Sequence, residues 1–255
     1  MVAPPPFDAP RELGAATRVL SDRWTLALPT AIAALVIAGI VFFVIGAVVV
    51  SGVAALLMGG HAGSWAAVSA GASTVAFSLG VMALVSTTAH ALVIAAARDA
   101  WNGRDPDYGA AFRLTMARFP ALLVAAFATA LLFAIPVFLS IFLIGIPLLF
   151  VLGYFLMYVR AAIMIDGEDG ITAIGTSFRM AAHNSGPSLV AFGGIIAAFI
   201  IARVVDAFTI HLPVIGLFTA FFIGGATAAY IALVEVRFYE LLRREPVTET
   251  ALRVR

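Results

Sequence analysis

The chain has 255 residues, of which 63% are hydrophobic and 11% charged, with a mean hydropathy of +1.08. A soluble domain is nearer half apolar and a quarter charged, so a water-soluble fold and a disordered chain are both excluded, and the composition is that of an integral membrane protein. The net charge of +1 gives no footprint for nucleic acid, and the absence of cysteine removes disulfides, thiolate chemistry and cysteine metal sites.

Residues 1–24 read as a cytoplasmic N-terminal segment carrying an amphipathic helix, with Asp8 and Pro10 as its start signal. They contain Pro4, Pro5 and Pro6 and lack the apolar core of a cleavable signal peptide, so the long apolar stretch that follows is expected to be an uncleaved first span. Charge inside a bilayer is costly, so stretches without charge mark where spans can lie. Residues 24–97 carry no Arg, Asp or Glu, which is room for two spans of about 20–25 residues joined by a Gly-rich linker from Gly59 to Trp65. Residues 119–159 are also uncharged. They hold either two spans with a tight turn, near Pro136 and Ser140 or near Gly145 and Pro147, or a re-entrant hairpin. Two further spans follow Pro187 and Pro213. The spans are expected at 25–50, 68–97, 118–138, 141–164, 187–205 and 213–238, within a single membrane domain of 25–240, followed by a basic cytoplasmic tail of 241–255.

Every basic residue is Arg, and Arg placement sets orientation. With these spans only Arg203 falls on one side of the membrane and all the other Arg residues fall on the opposite side. Both termini are therefore expected in the cytoplasm, in a multi-pass protein of the cell membrane.

Three of the segments on the Arg-rich side align without gaps. They are Gly14 to Val19 followed by Arg23, Gly109 to Leu114 followed by Arg118, and Gly175 to Met180 followed by Asn184. Each reads Gly-x-x-x-Arg-apolar with a polar residue five positions after the Arg, and a proline follows: Pro29, Pro120 and Pro187. Apolar stripes at helical spacing accompany them: Leu13, Ala16, Leu20 and Trp24; Tyr108, Phe112, Thr115 or Met116, and Phe119; Ile171, Ile174, Phe178 and Ala182. Helices of this kind lie in the membrane plane with Arg18, Arg113 and Arg179 at the lipid phosphates. Asp105 with Pro106, and Asp169, supply the second and third start signals. The expected fold is an all-α membrane protein: a six-transmembrane-helix bundle with three amphipathic cytoplasmic helices, built as three parallel repeats of an interfacial helix plus two spans.

Several stretches carry a family likeness: Arg18-Val19-Leu20; Val85 to Leu92, running on to Gly103; Gly145-Ile146-Pro147-Leu148-Leu149; Arg160; Asp166 to Ile174; and Ser177-Phe178-Arg179. With these residues the chain resembles six-span bacterial and archaeal integral membrane families, including the membrane domain attached to some glycerophosphodiester phosphodiesterases. The resemblance implies the six-span architecture. Those families have no established activity for the membrane part, and the phosphodiesterase barrel has no counterpart in these 255 residues, so it supplies no catalytic residues.

Three polar groupings stand out in the spans. His90, with Ser86 one helical turn earlier and Thr87 beside it, forms either a polar face lining a cavity or an interhelical hydrogen-bond cluster. Arg160 and Glu235, near the cytoplasmic ends of spans four and six, either pair across helices or act separately, with Arg160 reaching lipid phosphate and Glu235 meeting Arg237 or water. Arg203 and Asp206, three residues apart, form a pair at the outer end of span five. The four scattered His residues make no metal pattern, and Asp166, Glu168 and Asp169 read as a helix-start turn before a cation site. No phosphate loop, nucleophile elbow or dinucleotide fingerprint is present. A non-enzymatic module without cofactor is expected. It would scaffold or sense the bilayer, with a membrane or cytoplasmic protein partner. The alternative is a transporter or exporter of a small or lipid-like solute through the Ser86 and His90 face. The discriminating feature is the bundle interior: a polar, water-filled cavity reaching Ser86 and His90 favours transport, and a dry centre packed with Ala and Gly favours the scaffold.

Overall fold

The computed structural model describes residues 8–58, 61–209, 211 and 213–244. The prolines at 4–6, the glycines at 59 and 60 and the tail from 245 onward lie outside the described residues, as do the side chains of His61 and Trp65. The described chain is helical, with no strand. In order the helices are α1 (Ala9–Asp22), α2 (Leu28–Met58), α3 (His61–Trp101), α4 (Tyr108–Leu139), α5 (Gly145–Leu156), a short α6 (Val159–Ala161) running into a π-helical turn (Ala162–Asp166), α7 (Gly170–His183), α8 (Ser185–Thr209) and α9 (Pro213–Arg244).

Six of these segments are long and apolar enough to cross a membrane: Trp24–Val53, Ser69–Trp101, Tyr108–Leu139, Gly145–Asp166, Ser185–Thr209 and Phe218–Arg243. Each overlaps one expected span. The stretch 119–159 falls in two helices, each part of a segment long and apolar enough to cross a membrane. The turn between them is tight: Ser140 Oγ donates to the Pro136 carbonyl at 2.7 Å, and Leu143 sits in the left-handed region at φ 61°. That conformation is unusual for a residue with a branched side chain.

Burial alternates along the chain. The second, fourth and sixth spans have 29%, 44% and 39% of their apolar windows buried, against 6%, 17% and 17% for the first, third and fifth. The second helix of each pair is therefore the inner one. Large apolar side chains such as Phe42, Phe77, Phe127 and Phe208 project outward from the bundle. The buried core gathers at one end, where Val93 to Ala100, Leu156 to Met164 and Leu233 to Leu242 meet. This is the Arg-rich end, and polar ties close it. Trp101 Nε1 donates to the Leu233 carbonyl at 3.0 Å, and Arg237 lies over the Trp101 ring while bonding Glu12 at 2.7 Å. Arg98 meets Glu240 at 3.0 Å, the Tyr239 hydroxyl donates to Asp166 at 2.6 Å, and Arg243 also pairs with Asp166.

Helices α1 and α7 have the same length, 14 residues, and the same ends. Asp8 and Asp169 cap them by accepting from backbone N–H groups. Arg23 and Asn184, each five residues after the aligned Arg, end them with closely similar backbone angles: φ −128°, ψ 55° and φ −112°, ψ 49°. The second aligned segment differs. Arg118, at the same position, stays helical, and residues 108–119 run without interruption through Pro120 into the third span as α4. Its cap is Asp107, not Asp105, which instead approaches Arg23 at 3.9 Å. The second amphipathic helix expected from the sequence is thus fused to its span.

The expected stripes pack in part: Leu13, Ala16 and Leu20, Tyr108 and Thr115, and Ile174 and Phe178 meet the core. Position −2 from the aligned Arg is buried in all three segments: Ala16, Ala111 and Ser177. In α7 the buried row is Ala173, Ser177 and Ala181, while Ile171 is exposed. Small residues let this helix sit against α4: a Cβ on Gly170 would lie 2.5 Å from the Ala121 carbonyl oxygen. Gly225 serves the same purpose between α9 and α2. A Cβ there would meet the Ala27 carbonyl at 2.6 Å, and Thr30 donates to the Gly225 carbonyl at 3.1 Å. Gly39, Gly46, Gly71 and Gly80 have open space beside them, so they do not mark the close approaches their spacing suggests.

Candidate functional site

The fourth span does not run straight. The Ser177 hydroxyl enters its hydrogen-bond ladder, donating to the Phe155 carbonyl at 2.6 Å and accepting from the Tyr158 N–H at 3.1 Å. A side chain inserted in this way satisfies the interrupted backbone and fixes the break. Tyr158 is held beyond the break by its own hydroxyl, which donates to Ser188 at 3.2 Å. Two residues on, Arg160 projects toward the sixth span.

There it meets Glu235. Arg160 Nη2 donates to Glu235 Oε1 at 3.2 Å, and His90 Nε2 lies 3.2 Å from Glu235 Oε2. A carboxylate only accepts, so Nε2 carries the proton of this hydrogen bond. The Glu235 side chain is 2% exposed and that of His90 10%, while Arg160 is 41% exposed. A buried carboxylate is tolerated only when paired, and here each oxygen has its own partner. The three residues come from the three inner spans, one from each.

Arg160 and Glu235 form one end of a cavity of about 540 Å³ among spans two to six. Ser86 and Thr87 line it from α3, Ala126 and Thr129 from α4, and Phe192 and Phe199 from α8. Apart from Ser86, Thr87, Thr129, Arg160 and Glu235, the lining is apolar. The volume falls in the range of small-molecule sites, roughly 300–1,000 Å³. His90 does not line the cavity but backs onto Glu235 from behind. Sequence reasoning treated the Ser86/His90 face and the Arg160/Glu235 pair as two separate features, and the structure joins them at one site. It missed Ser177, Thr129 and the α8 aromatics. The only sequence signal for the first was its place in the family-like stretch Ser177-Phe178-Arg179.

Arg203 Nη1 and Asp206 Oδ2 are 3.4 Å apart, and the Arg203 guanidinium also stacks on the cavity-lining Phe199, 5.1 Å from its centroid. Arg18, Arg113 and Arg179 are exposed; Arg179 bonds Thr176 at 3.2 Å. Asp166, Glu168 and Asp169 have separate partners, namely Tyr239 and Arg243, Thr176, and the α7 N-terminus. No group of metal-ligating side chains occurs among the described residues. At the α7 cap, the Thr172 hydroxyl and the Thr172 and Ile171 N–H groups hold the Asp169 carboxyl below its ordinary value.

Comparisons with protein-family models, with curated proteins and with solved structures find no match for this chain.

Proposed function

We propose that this chain is a non-enzymatic multi-pass membrane protein that takes a lipid-like solute into the cavity between its spans and carries it between the bilayer and one membrane face. The observation that supports this most is the cavity itself, with apolar walls and its polar groups gathered at Arg160, Glu235, Ser86, Thr87 and Thr129.

Three parallel units of an interfacial helix and a span pair account for several features together. The inner and outer spans alternate, the ends of α1 and α7 match, and each inner span contributes one member of the His90, Arg160 and Glu235 cluster. In this reading α1, the first part of α4 and α7 lie at the cytoplasmic lipid surface with Arg18, Arg113 and Arg179 at the phosphates, and both termini are cytoplasmic in the cell membrane. The test is movement of a fluorescent long-chain amphiphile across proteoliposomes. Transport above that of protein-free vesicles, blocked by Ala126→Trp, supports the proposal. Rates equal to empty vesicles, with normal folding, favour the scaffold.

A further inference from the structure

The charged end of the cavity is an ion pair whose acid is buried and whose cation is exposed. A guanidinium carries five N–H donors in a planar fork, and among the described residues the one hydrogen bond made by Arg160 spends a single donor on Glu235. The side chain is 41% exposed and the residue lines the cavity, which leaves it donors beyond the one spent on Glu235. Glu235 is the reverse case. Its side chain is 2% exposed and both oxygens are taken, one by Arg160 and one by His90. The carboxylate is bonded by His90 from behind and paired with Arg160 at the cavity, which it holds in place. The break at Ser177 fixes the backbone that carries Arg160, so the fork is presented without rearrangement.

We infer that the cavity is a site for a single-chain amphiphile with a monoanionic carboxylate head, bound by the free donors of Arg160, with its chain along Leu122, Phe133, Phe192, Ile195, Phe199 and Ile231. This rests on the reading of the cavity as the solute site. A planar carboxylate matches the guanidinium fork. A cationic head would find the only acid of the lining already engaged. A dianionic phosphate would face one exposed cation beside a buried carboxylate, so the monoanion is the better match. About 540 Å³ suits one chain and not a two-chain phospholipid. Glu235 is then a positioning residue and Arg160 the binding residue.

The test is binding of a fluorescent fatty acid to the purified full-length protein in nanodiscs at neutral pH. The competitors are a long-chain carboxylate, the alcohol and the alkyltrimethylammonium of equal chain length. The wild type is expected to prefer the carboxylate over the alcohol by about tenfold, the size of effect a charge-assisted fork supplies. Arg160→Gln should remove that preference and leave alcohol binding intact, which also shows that the variant is folded. Glu235→Gln should weaken the preference less than Arg160→Gln does. Equal binding of carboxylate and alcohol by the wild type, or strongest binding of the ammonium, overturns the inference. So does an Arg160→Gln variant that keeps the carboxylate preference. If Ala126→Trp abolishes all binding in those cases, the cavity reading stands without its anion. If Ala126→Trp changes nothing, the cavity reading itself fails. Should Arg160→Gln not fold, the competitor ranking on the wild type decides alone.

Discussion

Replacing Glu235 by Leu removes the group that joins the three inner spans. The side chain is buried at 2% exposure and takes part in two interhelical hydrogen bonds, each 3.2 Å long. Interhelical hydrogen bonds within bilayers average about 0.6 kcal/mol and reach about 1.7 kcal/mol, and charge-assisted bonds belong toward the upper end. The Arg160 bond is discounted because that side chain is 41% exposed and can be rehydrated from the cavity. The expected loss is about 2 kcal/mol, roughly a 30-fold change in the folded to unfolded ratio. Titration with SDS in mixed micelles, followed by helical circular dichroism and tryptophan emission, measures it. Trp101 is a local reporter because its indole donates to the Leu233 carbonyl, two residues from the substitution. Glu235→Gln, which keeps hydrogen-bonding capacity, should lose less. Combining Glu235→Leu with Arg160→Met should recover part of the loss, since apolar replacement of a whole buried pair is often neutral. A Glu235→Leu protein as stable as the wild type, or strictly additive effects in the double variant, would refute the claim that these residues form one cluster.

Ser177→Ala should destabilise the protein by about 1–3 kcal/mol, because it leaves the Tyr158 N–H without its buried acceptor; Ser177→Thr tests whether the hydroxyl alone suffices. Gly225→Leu should impair folding or raise detergent sensitivity sharply, since its Cβ would lie 2.6 Å from the Ala27 carbonyl, while Gly39→Leu, with open space beside it, should behave as wild type in the same melts. Asp169 has a depressed folded-state pKa, so the cap contributes fully above the ordinary carboxyl value of 3.8 and the contribution is lost as pH falls through the lower folded value. The stability gap between wild type and Asp169→Ala should therefore be constant at neutral pH and close only in strong acid. A gap that closes nearer pH 6 would point to another group. For orientation, a cysteine placed at position 61 should react with an impermeant thiol reagent only from outside the cell, against a background that holds no native cysteine.

Much of this architecture could be read from where charge is absent, because a bilayer penalises every Arg, Asp and Glu and the sequence has few of them. Six apolar stretches follow from that rule alone, and their ends fall near Pro, Gly and Arg residues as expected. The fusion of residues 108–119 to the third span was not legible. Pro120 looks like Pro29 and Pro187 in sequence, but Arg23 and Asn184 leave the helical region before their prolines, whereas Arg118 stays helical. The glycines were only partly legible for a related reason. Gly39, Gly46, Gly71, Gly80, Gly193 and Gly224 look no different in sequence from Gly194 and Gly225, yet only at the last two does a neighbour come close enough to need a glycine.

The candidate site was visible as separate residues but not as one site. The sequence marks His90 as an intramembrane histidine and Glu235 as an acid near the end of the sixth span. It does not say that both sit at the same level as Arg160, because that depends on how three inner helices meet. The position of Arg160 depends further on the Ser177 insertion, a contact between residues 19 to 22 apart in the chain. No local pattern encodes it.

The central claim is that a chamber with a polar end lies between these spans and receives a lipid-like solute. Thr129→Cys in nanodiscs tests it most directly, since this position lines the cavity and the chain has no other thiol. A small maleimide should label position 129, and a long-chain amphiphile should slow that labelling in proportion to its occupancy without affecting a cysteine at the exposed position 18. Absence of labelling, or labelling that the amphiphile leaves unchanged, would contradict the account.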